Sequence, residues 1–355
     1  MKVVIAPSAG KTNPYQQLLI SALQNNGVKV LLSTGFMFPW TSMLKHGLPQ
    51  VIHLQWQHVY FRSKWLPEAM LRTTVFMLQA VVLRLLGVRF VWTVHNLVNH
   101  ERHHVGWELF ACRLLARLVD SIIVHCGAVR ALVSSTYRVT PTKLCVVPHG
   151  HYIGWYPQPV QRQEARAQLG LPACGKIFLF FGQVRTYKGL DQLLSQFSQV
   201  AADDVLLIVA GEPRPQSLKQ QLLTQVSADP RVMTEFKFVD DVRLVTLICA
   251  CDLVVLPYRD SLTSGAAVLS ASYGRPVLMP RLGCMEEFPQ GSAILYEAHD
   301  PQNLRRALEQ ALTAPLEEMG RLARAHVEQF PWSAVGERTF NLYRSLSTRD
   351  RAGVG

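Results

Sequence analysis

An α/β protein built from two parallel-sheet domains is the fold class this sequence predicts. Three observations carry that expectation. The chain has 355 residues, more than one hydrophobic core usually serves. Short apolar runs recur between stretches of helical periodicity, the alternation that builds right-handed parallel βαβ units. The series also begins twice: KVVIA at 2–6 opens the first, and KIFLFF at 176–181 opens the second, after the polar segment QPVQRQEARAQLG at 158–170. The expected division is 1–160, 161–330, and a last helix and tail over 331–355 that returns to the first domain.

The first domain opens in a Rossmann-like way. KVVIA leads into PSAGKTNPY, and a helix follows from about Gln16 to Asn25, stopped by Gly27. The turn lacks G-x-G-x-x-G, and no acidic residue ends the next strand, KVLLST, so a dinucleotide cofactor is not expected. Gly10, Lys11 and Asn13 are placed either to touch a substrate or simply to make the turn. After the strand QVIHLQW (50–56) comes a helix over about 67–86 of high apolar content, with Arg62, Lys64, Arg72, Arg84 and Arg89 along or beside it. It reads as a helix packed on the sheet or as a basic, apolar face resting on a membrane. The strand at 88–94 then delivers His95, Asn96, His100 and Glu101 at its C-terminal end. In open α/β sheets the ligand crevice lies at such ends. Imidazole and carboxylate side chains there make a candidate general base with an orienting partner, loop-stabilising hydrogen bonds being the plainer alternative. A helix near 106–118, a strand at 121–126, a short helix and KLCVVPHGHYIGWYP complete this half.

The second series starts with a candidate phosphate cradle. Ile177–Phe181 is a buried strand, Gly182 opens the turn, Arg185 and Lys188 supply two cations, and a helix begins near Gly189. Further strands are expected at 205–211, near 237–240, at 252–258 and at 276–280, with a helix over about 215–228. The strand at 252–258 runs into Pro257-Tyr258-Arg259, and the following helix starts at Ser264-Gly265, whose hydroxyl and N–H groups can hold phosphate oxygens. Each half alone is also an ordinary βα turn or helix cap; together they make a diphosphate site. Helices near 301–313 and 317–329 and a final amphipathic stretch to about Leu346 close the chain.

Charge narrows the partners. The net charge of +11 lies wholly in the first half, where residues 1–160 hold 15 Lys and Arg against 4 Asp and Glu, while 161–355 hold 21 of each. A basic half suggests a polyanion, and without a nucleic-acid-binding motif the expectation is an anionic membrane surface and no nucleic acid. Seven cysteines without a C-x-x-C pair indicate neither a disulfide framework nor a zinc site. The chain enters a strand directly, and its uninterrupted apolar runs fall short of the roughly 20 residues of a spanning helix, so a cytoplasmic protein is expected. There is no Asp-x-Asp pair, and the Arg/Lys cradle makes a metal unnecessary; no metal site and no cofactor are expected.

Six blocks in order, TNPY (12–15), HLQW (53–56), TVHNLVNHE (93–101), HGHYIGWY (149–156), FGQVRTYKG (181–189) and LPYRDSLTSG (256–265), carry a resemblance over nearly the full chain. The chain resembles the GT-B glycosyltransferases of the family 4 superfamily, and within them the xanthan-type GDP-mannose-dependent β-mannosyltransferases. The resemblance implies two Rossmann-like domains facing a cleft and a nucleotide-sugar donor with its diphosphate on Gly182, Arg185, Lys188, Ser264 and Gly265. It places the base and ribose near Gly211, Glu212, Val239 and Asp240. Acceptor-side residues would come from the first domain, at Asn13, Tyr15, Asn96, His149 and His151. The implied reaction moves a hexose, mannose from GDP-mannose, to a lipid-linked saccharide at the inner face of the cell membrane. The chain departs from family 4 in one respect: the usual two glutamates with seven residues between them are replaced here by Ser261 and Leu269. That departure favours an inverting transfer, which needs a base on the acceptor hydroxyl; Glu101, His95 and His100 are the candidates in that order. The alternatives are a retaining transferase using a UDP-sugar, a non-catalytic binding partner in polysaccharide assembly, and a sugar-nucleotide epimerase of the same fold.

Overall fold

The computed structural model describes residues 1–10, 13–33, 38, 43, 47–99 and 103–348. Lys11, His100 and Glu101 lie outside them. The chain divides into two compact units, residues 1–150 with the segment from Pro331, and His151–Phe330.

The described part of the first unit holds a parallel sheet of β1 (Lys2–Ala6), β2 (Lys29–Leu32), β3 (Val51–Leu54), β4 (Arg89–Thr93), β5 (Ser121–Val124) and β6 (Leu144–Val146). Their order is β2-β1-β3-β4-β5-β6. The middle strands β3, β4 and β5 are mostly apolar and, Arg89 apart, buried along their length, as expected of parallel strands covered on both faces. The C-terminal helix Trp332–Thr348 packs on the helix Pro14–Asn25. Gly336 permits that contact, since a Cβ there would stand 2.7 Å from Ala22 Cβ. Tyr343 of the same helix hydrogen-bonds His53 Nδ1 on β3 at 2.6 Å.

The helix Leu66–Leu85 covers one side of this unit with only one of its faces. Ala69, Phe76, Ala80 and Leu83 are buried, Phe76 among Phe38, Tyr60 and Phe61. Its outer face is also apolar: Leu71, Leu78 and Leu85 are 64%, 61% and 83% exposed. By length and composition the helix could cross a membrane, but its inner face makes it a layer of the domain. The basic residues beside it are less available than their number suggests. Arg72 pairs with Glu68, and Arg84 and Arg89 both pair with Asp120.

The second unit is a parallel sheet in the order β12-β11-β10-β7-β8-β9, from β7 (Lys176–Phe181), β8 (Val205–Ala210), β9 (Val232–Glu235), β10 (Leu253–Val255), β11 (Val277–Pro280) and β12 (Ala293–Tyr296). Read from the other edge, this is the 3-2-1-4-5-6 order of dinucleotide folds. Phe178, Phe180, Leu193, Phe197 and Leu308 form the core on one face. On the other, Arg166 is 4% exposed and pairs with buried Asp252 at 2.7 Å, while Asp252 also accepts the Ile177 N–H at 2.7 Å. The pairing satisfies both buried charges and ties the helix Arg162–Leu169 to the sheet.

The sequence expectation fails in one element here. The strand expected near 237–240 is a loop, and the strand itself is β9, whose Val232 to Glu235 pair with Leu207 to Ala210 of β8. As an edge strand, VMTE keeps polar positions, whereas apolar Phe238 in the loop is 81% exposed.

Candidate active site

In the second sheet the strand order reverses between β7 and β10, and ligands bind outside the C-terminal ends of strands at such a switch point. The two predicted cradle segments follow these two strands. Glycine lets the strand ends converge. Gly189 has φ +69, and a Cβ on it would stand 2.1 Å from Pro257 O; Gly211, after β8, has φ +147 and would put a Cβ 2.1 Å from Gly182 O. Arg259 joins the loops from the side, donating to Thr186 O at 3.0 Å and pairing with Asp191 at 2.6 Å.

Into this junction Lys188 brings its ammonium, 5.8 Å from the centre of the Tyr258 ring. Among the described residues no carboxylate pairs with it. Burial, with Arg185 nearby, pushes its pKa down to about 8. A cation held at that electrostatic cost is relieved by an anion. Arg185 sits beside it, its Nε donating to Gln183 Oε1 at 3.1 Å. Ser264 is buried and caps the helix Gly265–Ser272, its Oγ accepting the Ala267 N–H at 3.1 Å and meeting Tyr258. Its hydroxyl is therefore used by the fold, and the helix offers an anion the first-turn N–H groups, beginning at Gly265. Gly182, Arg185, Lys188, Ser264 and Gly265 thus belong to one end of one sheet.

The expected base and ribose residues follow the neighbouring strands. Glu212 pairs with Arg214 at 2.9 Å, and its carbonyl accepts the Val184 N–H at 3.0 Å. Asp240 caps the helix Asp241–Ala250 by accepting the Arg243 N–H at 2.9 Å, so its carboxylate has a structural task; Val239 precedes it, half-buried. The departure from family 4 is structural as well: Leu269 is buried in the core of its helix, and Ser261 Oγ bonds Thr263 O at 3.0 Å.

The first unit gathers rings at the ends of its strands. Asn13 caps the helix Pro14–Asn25 by accepting the Gln16 N–H at 3.2 Å. Two residues on, Tyr15 is the hub, with ring centres at 4.9 Å for His95, 5.0 Å for His149, 5.3 Å for Trp332 and 5.4 Å for His125. His95 stacks on Trp56 at 4.6 Å with the planes 9° apart. The His125 Nδ1–H donates to Val147 O at 3.0 Å and the His149 Nδ1–H to Gly150 O at 2.8 Å; a carbonyl only accepts, so both tautomers are set. Burial is the main cause holding these imidazoles neutral. It pushes His53 and His149 down to about 3, His125 to about 4, and His95 well below the ordinary imidazole range. His95 is consequently neutral at physiological pH, with Nε2 buried and unpartnered.

Not all candidates join this cluster. The Asn96 carbonyl lies at 3.4 Å from Tyr137 OH, off the ring hub. His151 falls in the second unit, its N–H donating to Phe330 O at 3.1 Å and its ring beside Arg324 and Glu328; its closeness in sequence to His149 is not closeness in role. His100 and Glu101 lie outside the described residues. Sequence reading passed over His125, Trp332 and Glu108, a buried carboxylate that accepts the Asn99 N–H at 2.9 Å and so anchors the loop that carries His95. Among these only His125, next after an apolar strand, left a visible trace.

Two family models cover most of the chain, one described as Glycosyltransferase Family 4 over residues 3–152 and one as Glycosyl transferases group 1 over 175–314. A GDP-mannose:glycolipid 4-beta-D-mannosyltransferase of Xanthomonas campestris is 28% identical over 96% of this chain and 90% of its own length. A D-inositol 3-phosphate glycosyltransferase of Segniliparus rotundus is 27% identical over 73% of this chain and 62% of its own length, so the chain spans under two thirds of that relative. Among solved structures, HepE of Anabaena in complex with UDP and glucose superposes with a TM-score of 0.73 over 97% of this chain and 100% of that one, at 16% identity. A sucrose-phosphate synthase of Thermosynechococcus elongatus gives 0.75 over 97% and 98%, at 19% identity. With matching models on both halves, a relative aligned end to end and a parallel sheet in each unit, the chain belongs to the family 4-like glycosyltransferases of GT-B architecture, enzymes that transfer a sugar from a nucleotide sugar.

Proposed function

We propose that this glycosyltransferase moves mannose from GDP-mannose to a lipid-linked saccharide, with inversion at the anomeric carbon and without a metal ion, at the inner face of the cell membrane. The observation that carries the reading is the junction of Gly182, Arg185, Lys188 and the helix start at Gly265, a set of cations and N–H groups suited to a leaving diphosphate. In an inverting transfer the acceptor hydroxyl attacks the anomeric carbon as the bond to the diphosphate breaks. The hydroxyl proton passes to a base, for which Glu101 comes first, ahead of His95 and His100. The preference for GDP-mannose and a glycolipid acceptor rests on likeness to the Xanthomonas enzyme. The preference for inversion rests also on the absence of carboxylates at Ser261 and Leu269.

The membrane part of the proposal rests on the helix Leu66–Leu85, whose outward Leu71, Leu78 and Leu85 are apolar while exposed Arg62 and Lys64 precede it. Near an anionic leaflet each such cation contributes about 1 kcal/mol, and apolar side chains entering the interface add to it.

Incubation with labelled GDP-mannose and a lipid-diphosphate-linked oligosaccharide tests the chemistry: the expected product is a β-mannoside, and an α-linked product or transfer only from UDP-sugars contradicts the proposal. For the membrane, co-sedimentation with phosphatidylglycerol vesicles at low salt is expected, weakened by high salt and by Leu71→Ser, Leu78→Ser and Leu85→Ser together. Equal binding to neutral vesicles, or none at low salt, contradicts it.

A further inference from the structure

The ring cluster of the first unit contains two nitrogens that its own fold leaves unused. His125 is 5% exposed and His95 7%, and the Nε2 of each is buried without a hydrogen-bond partner. An unmet buried polar atom costs about 1–3 kcal/mol and calls for an explanation. On His125 the atom's chemistry is fixed, because the proton is on Nδ1, donated to Val147 O at 3.0 Å. Its Nε2 is therefore a lone pair, able only to accept. The two rings stand 5.2 Å apart, each against Tyr15, with Trp56 stacked on His95. Among the described residues the groups whose fields act on His95 are other imidazoles, His125, His149, His53 and His58, and no carboxylate or ammonium is among them. A partner suited to this place is uncharged, offers a hydrogen-bond donor, and has an apolar face for the aromatic rings. A sugar has all three properties.

We propose that His95 and His125 take one saccharide hydroxyl between their Nε2 atoms, the hydroxyl donating to His125 and accepting from His95 in its Nε2–H form. This rests on the reading of the chain as a sugar transferase and adds His125 to the residues that bind substrate. The hydroxyl belongs to the donor's sugar or to the acceptor's. A sugar lacking it leaves the His125 lone pair unmet, which makes the pair a determinant of specificity.

The test uses the full chain with His125→Phe and His125→Gln. Phenylalanine keeps a planar aromatic ring, somewhat larger, and removes both nitrogens; glutamine restores a hydrogen-bonding group near the position of Nε2. Calorimetric titrations with GDP, GDP-mannose, UDP and UDP-glucose are run on all three proteins, with the KM for a lipid-diphosphate-linked oligosaccharide and a thermal melt for each. His125→Phe is expected to leave nucleoside diphosphate affinity unchanged and to weaken one sugar constant about tenfold or more, with partial recovery in His125→Gln. Loss on the nucleotide sugar assigns the hydroxyl to the donor; loss in the oligosaccharide KM assigns it to the acceptor. Unchanged sugar constants in both variants, with or without a lower melting temperature, overturn the proposal in favour of a packing role or a buried water. A fall of all constants together, with no recovery in His125→Gln, overturns it as well. A wild type that binds none of the four nucleotides instead contradicts the donor reading itself, and this proposal falls with it.

Discussion

The two strand-end clusters are built by opposite means. After β7 and β10 the ligand side is cationic: Arg185, Lys188 and helix N–H groups are brought together by glycines that let backbone touch backbone. After the strands of the first unit it is neutral: Tyr15, Trp56 and three histidines pack on one another, with the protons of His125 and His149 fixed by carbonyls. The first arrangement suits a multiply charged diphosphate, the second a molecule recognised by hydroxyls and C–H faces. The proposed division of labour between leaving group and sugar rests on this contrast in electrostatics.

The largest expected effect tests the proposed base. Glu101→Gln keeps shape and removes basicity, and turnover should fall about 100-fold or more with donor affinity unchanged. Unchanged turnover in steady-state kinetics would move the role to His95, His100 or elsewhere. On the charged side, the convergence depends on glycine. Gly211→Ala forces a Cβ onto Gly182 O at positive φ and should destabilise the second unit by about 3 kcal/mol or more, with loss of nucleoside diphosphate binding; denaturant melts that match the wild type would contradict the packing described.

pH should separate the two clusters. His53, His95, His125 and His149 stay neutral when folded far below pH 6.5, whereas the unfolded chain protonates them there. Unfolding then takes up protons, so stability is full above about pH 6.5 and falls as pH falls. At pH 5 each imidazole accounts for about 2 kcal/mol. Lys188 behaves in the other direction: with its pKa at about 8 in the free protein and raised by a bound diphosphate, anion affinity should be full below pH 8 and decline above it. Thermal melts at pH 5 and 7.5 check the first, and nucleotide titrations at pH 7 and 9.5 the second.

Legibility in the sequence followed the range of the contacts. Gly182, Arg185 and Lys188 lie within seven positions of one another on one βα turn, and Ser264-Gly265 stands where a strand meets a helix, so local pattern located them. For His125 local pattern offered only its place after an apolar strand, since Tyr15 and Val147, which define its contacts, are remote in sequence. The helix Leu66–Leu85 was evident, but being apolar all round it did not reveal which face packs. β9 was misplaced because edge strands tolerate polar residues and exposed loops tolerate a phenylalanine. His149 and His151 look like one motif, yet the unit boundary runs between them.

The central claim is that the charged end of the second sheet holds the donor's diphosphate. Calorimetric titration of GDP and UDP into the wild type, Arg185→Ala and Lys188→Ala tests it most directly. Each substitution should weaken the nucleoside diphosphate that binds the wild type about 10- to 100-fold while the melting temperature of the free protein stays the same or, for Lys188→Ala, rises, because the desolvated Lys188 ammonium has been removed. Variants that bind that diphosphate as tightly as the wild type would contradict the account.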